Sequence, residues 1–160
     1  MTIKVGDKAP EGTLMRLTDS GPAPLPTAEL FKGRKVAVFG LPGAFTPTCS
    51  AKHVPSYLGN ADKLKAKGVD QIVCMSVNDA FVMGAWGKDQ KVGDKIVMAG
   101  DGSADYTRKL GLELDLTARG MGVRCQRFSM LVDDGVVKQL NVEKAGAFEV
   151  SDAETMLKQL

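Results

Sequence analysis

The sequence predicts an α/β fold in which a central mixed β-sheet is flanked by helices. Apolar runs typical of buried strands alternate with helix-like segments, and the chain closes on a β-hairpin followed by a helix. Its 160 residues suit one domain, since chains usually divide only well above this length. We therefore predict a single domain over residues 1–160, with an N-terminal extension of short strands.

Local composition predicts the elements of the first half. The N-terminal segment is rich in proline and glycine, which favours short strands and turns over a helix. Further along, apolar runs bounded by turn residues predict buried strands. The predicted elements are a strand over 13–17, a helical turn over 27–31, a strand over 35–39, a helical region over 46–67 interrupted near Pro55 and Gly59, and a strand over 69–77.

Capping and turn residues mark the elements of the second half. Asn78 and Asp79 can cap a helix, Asp133-Asp-Gly135 is a hairpin signal, and Ser151-Asp-Ala-Glu154 has the pattern of a capping box. The predicted elements are a helix over 80–88, a strand over 96–98, a helix over 104–110 that ends at Gly111, strands over 127–132 and 136–142, and a C-terminal helix that opens at the capping box.

The composition excludes several classes of function. The chain has 21 lysine and arginine residues against 19 aspartate and glutamate residues, and a net charge of +2 gives no electrostatic case for binding nucleic acid or an anionic membrane. No apolar run approaches the roughly 20 residues of a membrane span, and residues 1–10 show no signal-peptide core. The odd number of cysteines, 3, argues against a secreted disulfide scaffold, so we expect a reducing, cytoplasmic location.

The segment from Gly40 to Ser50 carries the most chemical information. A buried strand ends there, a loop rich in proline and glycine follows, and Cys49 lies where a helix should begin. In the first turn of a helix, free backbone N–H groups and the positive end of the dipole favour a thiolate. Thr46 lies nearby and can donate a hydrogen bond to the sulfur or to an oxygen bound near it. We therefore predict that Cys49 is a reactive cysteine.

The same segment resembles a known family. The pattern Pro42-x-x-x-Thr46-x-x-Cys49 matches the Pro-x-x-x-Thr/Ser-x-x-Cys motif of peroxiredoxins, and the surrounding string is similar to their type II, atypical two-cysteine branch. The resemblance implies a thioredoxin-like fold and a thiol peroxidase that needs no metal, haem or flavin. It covers nearly the whole chain and continues through Lys52-His-Val-Pro55, Cys74-Met-Ser-Val-Asn-Asp79, Ala85-Trp86 and Arg127-Phe-Ser-Met130.

The resemblance also implies a role for each residue of the site. Cys49 would be the peroxidatic cysteine, which attacks a peroxide oxygen and becomes a sulfenic acid. Thr46 and nearby backbone N–H groups would stabilise the charge that develops on the leaving oxygen, and Pro42 would shield the site from water. The family string places the active-site arginine directly before Phe-Ser-Met, which selects Arg127 over Arg124.

Other residues leave alternatives open. His53 follows Cys49 closely and permits a Cys–His hydrolase, although we favour a structural role for it, and the cysteines and histidine lack metal-ligand spacing. Cys74 matches the position of a proposed resolving cysteine, yet it is equally typical of a simply buried residue. Other members of the branch carry a C-terminal resolving cysteine, which is missing from the string Phe148–Ser151. We interpret Cys125 as incidental.

The resemblance implies substrates, reductants and an assembly. The substrates would be hydrogen peroxide and small alkyl hydroperoxides, and the reductant would be glutaredoxin with glutathione, or thioredoxin. Relatives in the branch commonly form homodimers, and we expect one here through Phe45 and the segment 110–121. We expect no cofactor beyond the external thiol, and no nucleic acid or membrane partner. The alternatives are a peroxide-sensing redox-relay protein and a thiol-disulfide oxidoreductase, which is less favoured because Thr46 occupies the place of a second cysteine.

Overall fold

The computed structural model describes residues 1–160, which form nine strands and six α-helices. None of the helices is long and apolar enough to cross a lipid bilayer. The strands are β1 (Thr13–Thr18), β2 (Gly21–Pro26), β3 (Lys35–Gly40), β4 (Gln71–Ser76), β5 (Val97–Gly100), β6 (Glu113–Leu116), β7 (Gly122–Cys125), β8 (Phe128–Asp133) and β9 (Val136–Val142). The helices are α1 (Thr27–Phe31), α2 (Val54–Gly59), α3 (Ala61–Ala66), α4 (Ala80–Asp89), α5 (Asp105–Leu110) and α6 (Ala153–Gln159).

Seven of the strands form one mixed sheet in the order β2-β1-β5-β4-β3-β8-β9. Strand β4 pairs in parallel with β3 and β5, whereas β8 pairs antiparallel with β3 and β9. The N-terminal hairpin β1–β2 joins the sheet where Met15 pairs with Gly100 of β5. The predicted mixed sheet with an N-terminal strand extension is therefore confirmed.

The sheet separates two apolar layers. Side chains alternate along the central strand β3, so that Ala37 and Phe39 join the cluster that contains Cys49, and Val36 and Val38 join the opposite cluster. Helices α2, α3, α4 and α6 supply residues to the first cluster, and α1 and α5 to the second. Strand β3 is thus covered on both faces, as its continuous apolar run predicts.

The helical region after β3 differs from the prediction at Pro55. Helical geometry begins at Pro47 and runs to Gly59 without a break, because a π-helical turn over Cys49–His53 passes directly into α2. Pro55 directly follows the π-helical turn, so the change of helix type coincides with the residue that has no N–H to donate. The predicted interruption near Gly59 is confirmed, since α2 ends there and α3 follows.

The second half differs from the sequence analysis at two places, a helix cap and an additional pair of strands. The residue that caps α6 is Asp152, whose carboxylate accepts a hydrogen bond from the Thr155 amide at 3.2 Å. Ser151 cannot fill the capping position because its hydroxyl donates to Glu143 instead. In addition, β6 and β7 form a separate two-stranded ribbon that the sequence did not predict, since strands this short show no readable periodicity.

The sheet brings two distant segments to the same edge. Strand β8 runs antiparallel to β3 with Phe128 opposite Gly40, so Arg127, directly before β8, lies beside the loop that follows β3. A Cβ at Gly40 would lie 2.2 Å from Cε1 of Phe128, so only glycine permits this close approach. The carboxyl end of β3 is therefore where a loop, a helix start and an arginine meet.

Candidate active site

Cys49 is the first residue of the π-helical turn over Cys49–His53. Helical geometry begins just before it at Pro47, and proline is well suited to a helix start. The turn closes through a hydrogen bond from the Val54 N–H to the Cys49 carbonyl, the longer π-type bond that is frequent at functional sites. The Cys49 side chain is fully buried. The predicted reactive cysteine is thus held at a helix start inside the packed core.

Arg127 donates a hydrogen bond to the sulfur of Cys49. Its Nη2 lies 3.2 Å from Cys49 Sγ, and its Nη1 lies 2.9 Å from His53 Nδ1. A guanidinium is always charged and its donors form a rigid planar fork, so two bonds of this kind fix its orientation. The guanidinium thus places a permanent positive charge within hydrogen-bond distance of the sulfur. The structure therefore brings together Cys49 and the arginine that the sequence selected.

Arg124 has a different position and different partners. It lies in β7, where its Nη1 donates to the Pro42 carbonyl at 3.2 Å and its Nε donates to the Met121 carbonyl at 2.9 Å. A Cβ at Gly43 would lie 2.8 Å from the same Nη1, so glycine leaves room for this contact. Arg124 therefore joins the β6–β7 ribbon to the active-site loop, and none of its hydrogen bonds reaches the sulfur.

The partners of His53 fix its tautomer. Arg127 can only donate, so Nδ1 accepts; the Ser151 carbonyl, 3.1 Å from Nε2, can only accept, so Nε2 carries the hydrogen. Burial, reinforced by the positive charge of Arg127, lowers the pKa of His53 to about 3. A neutral ring whose two nitrogens are both occupied cannot act as a general base. The geometry thus supports a structural role for His53 and removes the base from the Cys–His hydrolase alternative.

Thr46 and Pro42 belong to the loop that precedes the helix. The Thr46 hydroxyl donates to the Gly43 carbonyl at 2.7 Å, so its proton is used in this conformation and the predicted donation to the sulfur or to an oxygen bound near it is not made. Because the hydroxyl proton is used in this way, the Thr46 oxygen presents lone pairs and can accept a hydrogen bond from a molecule beside the site.

A pocket of about 150 Å³ opens next to Arg127. Arg127 is the residue that this pocket shares with the hydrogen-bonded cluster at the Cys49 sulfur. A small polar molecule that enters it therefore meets the guanidinium directly. The pocket is lined by Pro42, Thr48, Leu114, Gln126, Arg127 and the residues 143–147.

Sequence reasoning missed the residues that hold His53 on its far side. The Ser151 carbonyl accepts hydrogen bonds from His53 and from the Tyr57 hydroxyl, the latter at 2.9 Å. Ser151 is itself bound to Glu143 Oε2 through its N–H and its hydroxyl, at 2.8 and 2.7 Å. The one signal in the sequence is an acidic residue directly after a strand, and it does not reveal which backbone groups will surround the carboxylate.

The other two cysteines are fully buried. Cys74 lies within β4, paired with Phe39 of β3, and belongs to the same apolar cluster as Cys49. Burial raises the pKa of Cys74 well above its ordinary value, and burial likewise raises the pKa of Cys125. Both thiols are therefore protonated, and neither is prepared as a nucleophile in this conformation.

Comparisons with known proteins show what the whole chain is similar to. A family model described as Redoxin matches residues 4–157. Peroxiredoxin-2B of Arabidopsis thaliana is 51% identical, over 99% of this chain and 98% of that protein. Peroxiredoxin-2E, chloroplastic, of the same plant is 52% identical, over 99% of this chain and 70% of that protein. Among solved structures, reduced Prx3 in complex with H2O2 from Vibrio vulnificus is 52% identical with a TM-score of 0.94, and the match covers 98% of each chain.

Proposed function

Because this chain belongs to the type II branch of the peroxiredoxin family, we propose that Cys49 is the residue whose thiolate attacks the peroxide. The chain has the thioredoxin-like fold of that family and is a thiol-dependent peroxidase with an antioxidant function. The observation that carries the assignment of Cys49 is the 3.2 Å hydrogen bond from Arg127 Nη2 to its sulfur. The guanidinium supplies a permanent positive charge there, while the neighbouring His53 is neutral.

The proposed reaction transfers one oxygen atom to the sulfur. The Cys49 thiolate attacks one peroxide oxygen, the S–O bond forms as the O–O bond breaks, and the electron pair of the O–O bond leaves on the other oxygen. That oxygen takes up a proton and departs as water or as an alcohol. The sulfur is oxidised to a sulfenic acid and the peroxide is reduced. Hydrogen peroxide and small alkyl hydroperoxides are the proposed substrates.

Three residues are proposed to assist this step. Arg127 faces the sulfur and stabilises the negative charge that moves from the thiolate to the leaving oxygen. Thr46, whose proton is held by the Gly43 carbonyl, accepts a hydrogen bond from the incoming peroxide and orients it. Pro42 lines the pocket beside Arg127 with an apolar ring and limits the access of water. The proposed chemistry uses no metal or other cofactor, since a thiolate and an external thiol complete it.

The reduction of the sulfenic acid has two possible routes. Cys74 is protonated, fully buried and within a central strand, and a disulfide with Cys49 needs the two Cα atoms within about 7 Å, so we propose that internal resolution would involve a rearrangement of the π-helical turn. Cys49 is fully buried as well, so an external thiol reaches its sulfur only when the turn opens locally. We propose external reduction, by glutathione with glutaredoxin or by thioredoxin, because the buried Cys74 thiol is protonated and is therefore a weak nucleophile.

A peroxidase assay tests both the function and the route. Peroxide consumption is measured with thioredoxin, and separately with glutathione plus glutaredoxin, for the wild type, Cys49→Ser and Cys74→Ser. We expect Cys49→Ser to be inactive with every reductant and Cys74→Ser to retain activity. Loss of activity in Cys74→Ser, together with a Cys49–Cys74 disulfide after peroxide treatment, would show internal resolution instead.

We also propose a homodimer and a cytoplasmic location. Phe45 lies on the active-site loop with 53% of its surface exposed, which suits an apolar contact with a second copy of the chain. The segment 110–121 is the second part of the proposed interface. Sedimentation of the wild type and Phe45→Ser tests the dimer, since the variant should sediment as a monomer.

The three free cysteines suit a reducing compartment, and cell fractionation tests the location.

A further inference from the structure

Glu143 directly follows β9 and is 8% exposed. Its Oε2 accepts hydrogen bonds from the backbone N–H groups of Glu149, Val150 and Ser151, at 2.8, 2.9 and 2.8 Å, and from the Ser151 hydroxyl at 2.7 Å. Burial favours the protonated carboxyl group, but these hydrogen bonds outweigh it and lower the pKa of Glu143. A buried carboxylate therefore gathers the segment 149–151 around one oxygen atom.

The segment that Glu143 holds carries an acceptor for the active site. The Ser151 carbonyl accepts from His53 Nε2 at 3.1 Å, His53 Nδ1 accepts from Arg127 at 2.9 Å, and Arg127 donates to Cys49 at 3.2 Å. Each bond fixes the next one. If the carbonyl moved away, Nε2–H would lose its partner, and the ring could take the tautomer in which Nδ1–H points at Arg127. Arg127 would then lose the acceptor that orients its fork.

Glu143 also holds the backbone of the arginine. Its own N–H donates to the Arg127 carbonyl at 2.9 Å, which continues the β8–β9 pairing one step beyond Phe128 and Val142. The ring of Phe148, in the loop between Glu143 and the held segment, lies 5.0 Å from the His53 ring and 6.0 Å from the Arg127 guanidinium carbon. The backbone of Arg127 is thus hydrogen-bonded to Glu143 directly. Its guanidinium is connected to Glu143 through Ser151 and His53, and we call this series of hydrogen bonds the relay.

We propose that Glu143 is a positioning residue of the peroxidase site, which aims Arg127 at Cys49 by holding the Ser151 carbonyl that orients His53. Glu143 makes no hydrogen bond to the sulfur; it lines the pocket beside Arg127, and it acts on the reaction through these other residues. The inference rests on the proposed function, in which Cys49 is the nucleophile and Arg127 its activator.

The test compares Glu143→Ala and Glu143→Gln with the matched control Glu154→Gln. Glu154 lies exposed in the first turn of α6, so its substitution by glutamine removes an equal charge close to the held segment without touching the relay. The readouts are the single-turnover rate with hydrogen peroxide and the pH midpoint of Cys49 alkylation, followed by mass spectrometry. A residue that only stabilised the fold would leave both readouts of the folded protein unchanged.

We expect Glu143→Ala to slow the reaction with peroxide about tenfold and to move the alkylation midpoint to higher pH. Glu143→Gln should lose less, because its amide oxygen still accepts hydrogen bonds but lacks the charge. Glu154→Gln should match the wild type. The double variant Glu143→Gln/His53→Gln should be no slower than His53→Gln alone, because residues that act through one another are not additive.

The inference is overturned if folded Glu143→Gln reacts at the wild-type rate with an unchanged alkylation midpoint. It is also overturned if the double variant is slower than His53→Gln by the full factor that Glu143→Gln loses on its own. Glu143→Gln alone decides the matter if Glu143→Ala does not fold, as judged by circular dichroism. Failure of the proposed function has a different signature, since wild type and Cys49→Ser would then consume peroxide equally. An active wild type with unaffected Glu143 variants refutes the role of Glu143 only.

Discussion

The substitution Arg127→Ala removes two charge-assisted hydrogen bonds from the site. They join Nη2 to Cys49 Sγ at 3.2 Å and Nη1 to His53 Nδ1 at 2.9 Å. A hydrogen bond that involves a charged group contributes about 1.5–3 kcal/mol. Only the first of the two bonds acts on the reacting atom, so this range converts to a roughly 10- to 150-fold loss of stabilisation of negative charge on the sulfur. Because the same guanidinium stabilises the leaving oxygen, we expect peroxide reduction to slow by at least tenfold.

Arg127→Lys is the matched variant for this prediction. Lysine keeps the positive charge but replaces the planar fork by a single flexible donor, so its rate should fall between those of the wild type and Arg127→Ala. The assay measures the pH dependence of Cys49 alkylation and the single-turnover rate with hydrogen peroxide. An unchanged pH profile in folded Arg127→Ala would refute the reasoning, because the sulfur would then not sense the guanidinium.

Three further predictions concern the surroundings of the site. The pKa of His53 is about 3 in the folded protein, against an ordinary 6.5 in the unfolded chain. Between these pH values the unfolded chain binds a proton that the folded protein does not bind. The stability contributed by the neutral ring is therefore complete above pH 6.5 and is lost as the pH falls toward 3. Between pH 7 and 5 this amounts to ~2 kcal/mol, which urea unfolding should detect in the wild type and not in His53→Gln. Gly43→Ala displaces the Arg124 side chain from the active-site loop and should lower kcat/KM several-fold. The control Gly59→Ala, where a Cβ meets open space, should leave kcat/KM unchanged. Equal values for the two variants would show that the contact between Arg124 and the loop does not support activity. Ser50→Ala removes the hydroxyl that accepts the 3.0 Å hydrogen bond from the Trp86 indole N–H and should cost ~1 kcal/mol of stability in the same unfolding assay; an unchanged value would show that this bond does not hold the π-helical turn.

The position of Cys49 could be predicted because its determinants are local. A buried strand, a loop rich in proline and glycine and a proline at the helix start follow one another directly in the sequence, and the structure keeps that order. Arg127 required the family string, since two arginines lie close together and no local pattern separates them. The structure separates them by their elements: Arg124 lies within β7, whereas Arg127 lies between β7 and β8.

The network behind Arg127 could not be predicted, because its partners are distant in the chain and are partly backbone groups. His53 lies 74 residues from Arg127 and 98 residues from Ser151, so its tautomer depends on the tertiary fold. Ser151 shows the same limit in another form. Its local pattern predicts a helix cap, but the tertiary hydrogen bond to Glu143 outcompetes that role. A main-chain carbonyl or N–H carries no signature in the sequence, so the acidic residue after β9 could not be recognised as the group that holds residues 149–151.

The most direct test of the account is the site of the first oxidation. The wild type, Cys49→Ser and Cys74→Ser are treated with one equivalent of hydrogen peroxide, trapped with a reagent specific for sulfenic acid, and mapped by non-reducing mass spectrometry. We predict that one oxygen atom is added at Cys49 in the wild type and in Cys74→Ser, and that Cys49→Ser remains unmodified. First oxidation at Cys74 or Cys125, or equal consumption of peroxide by Cys49→Ser, would contradict the account.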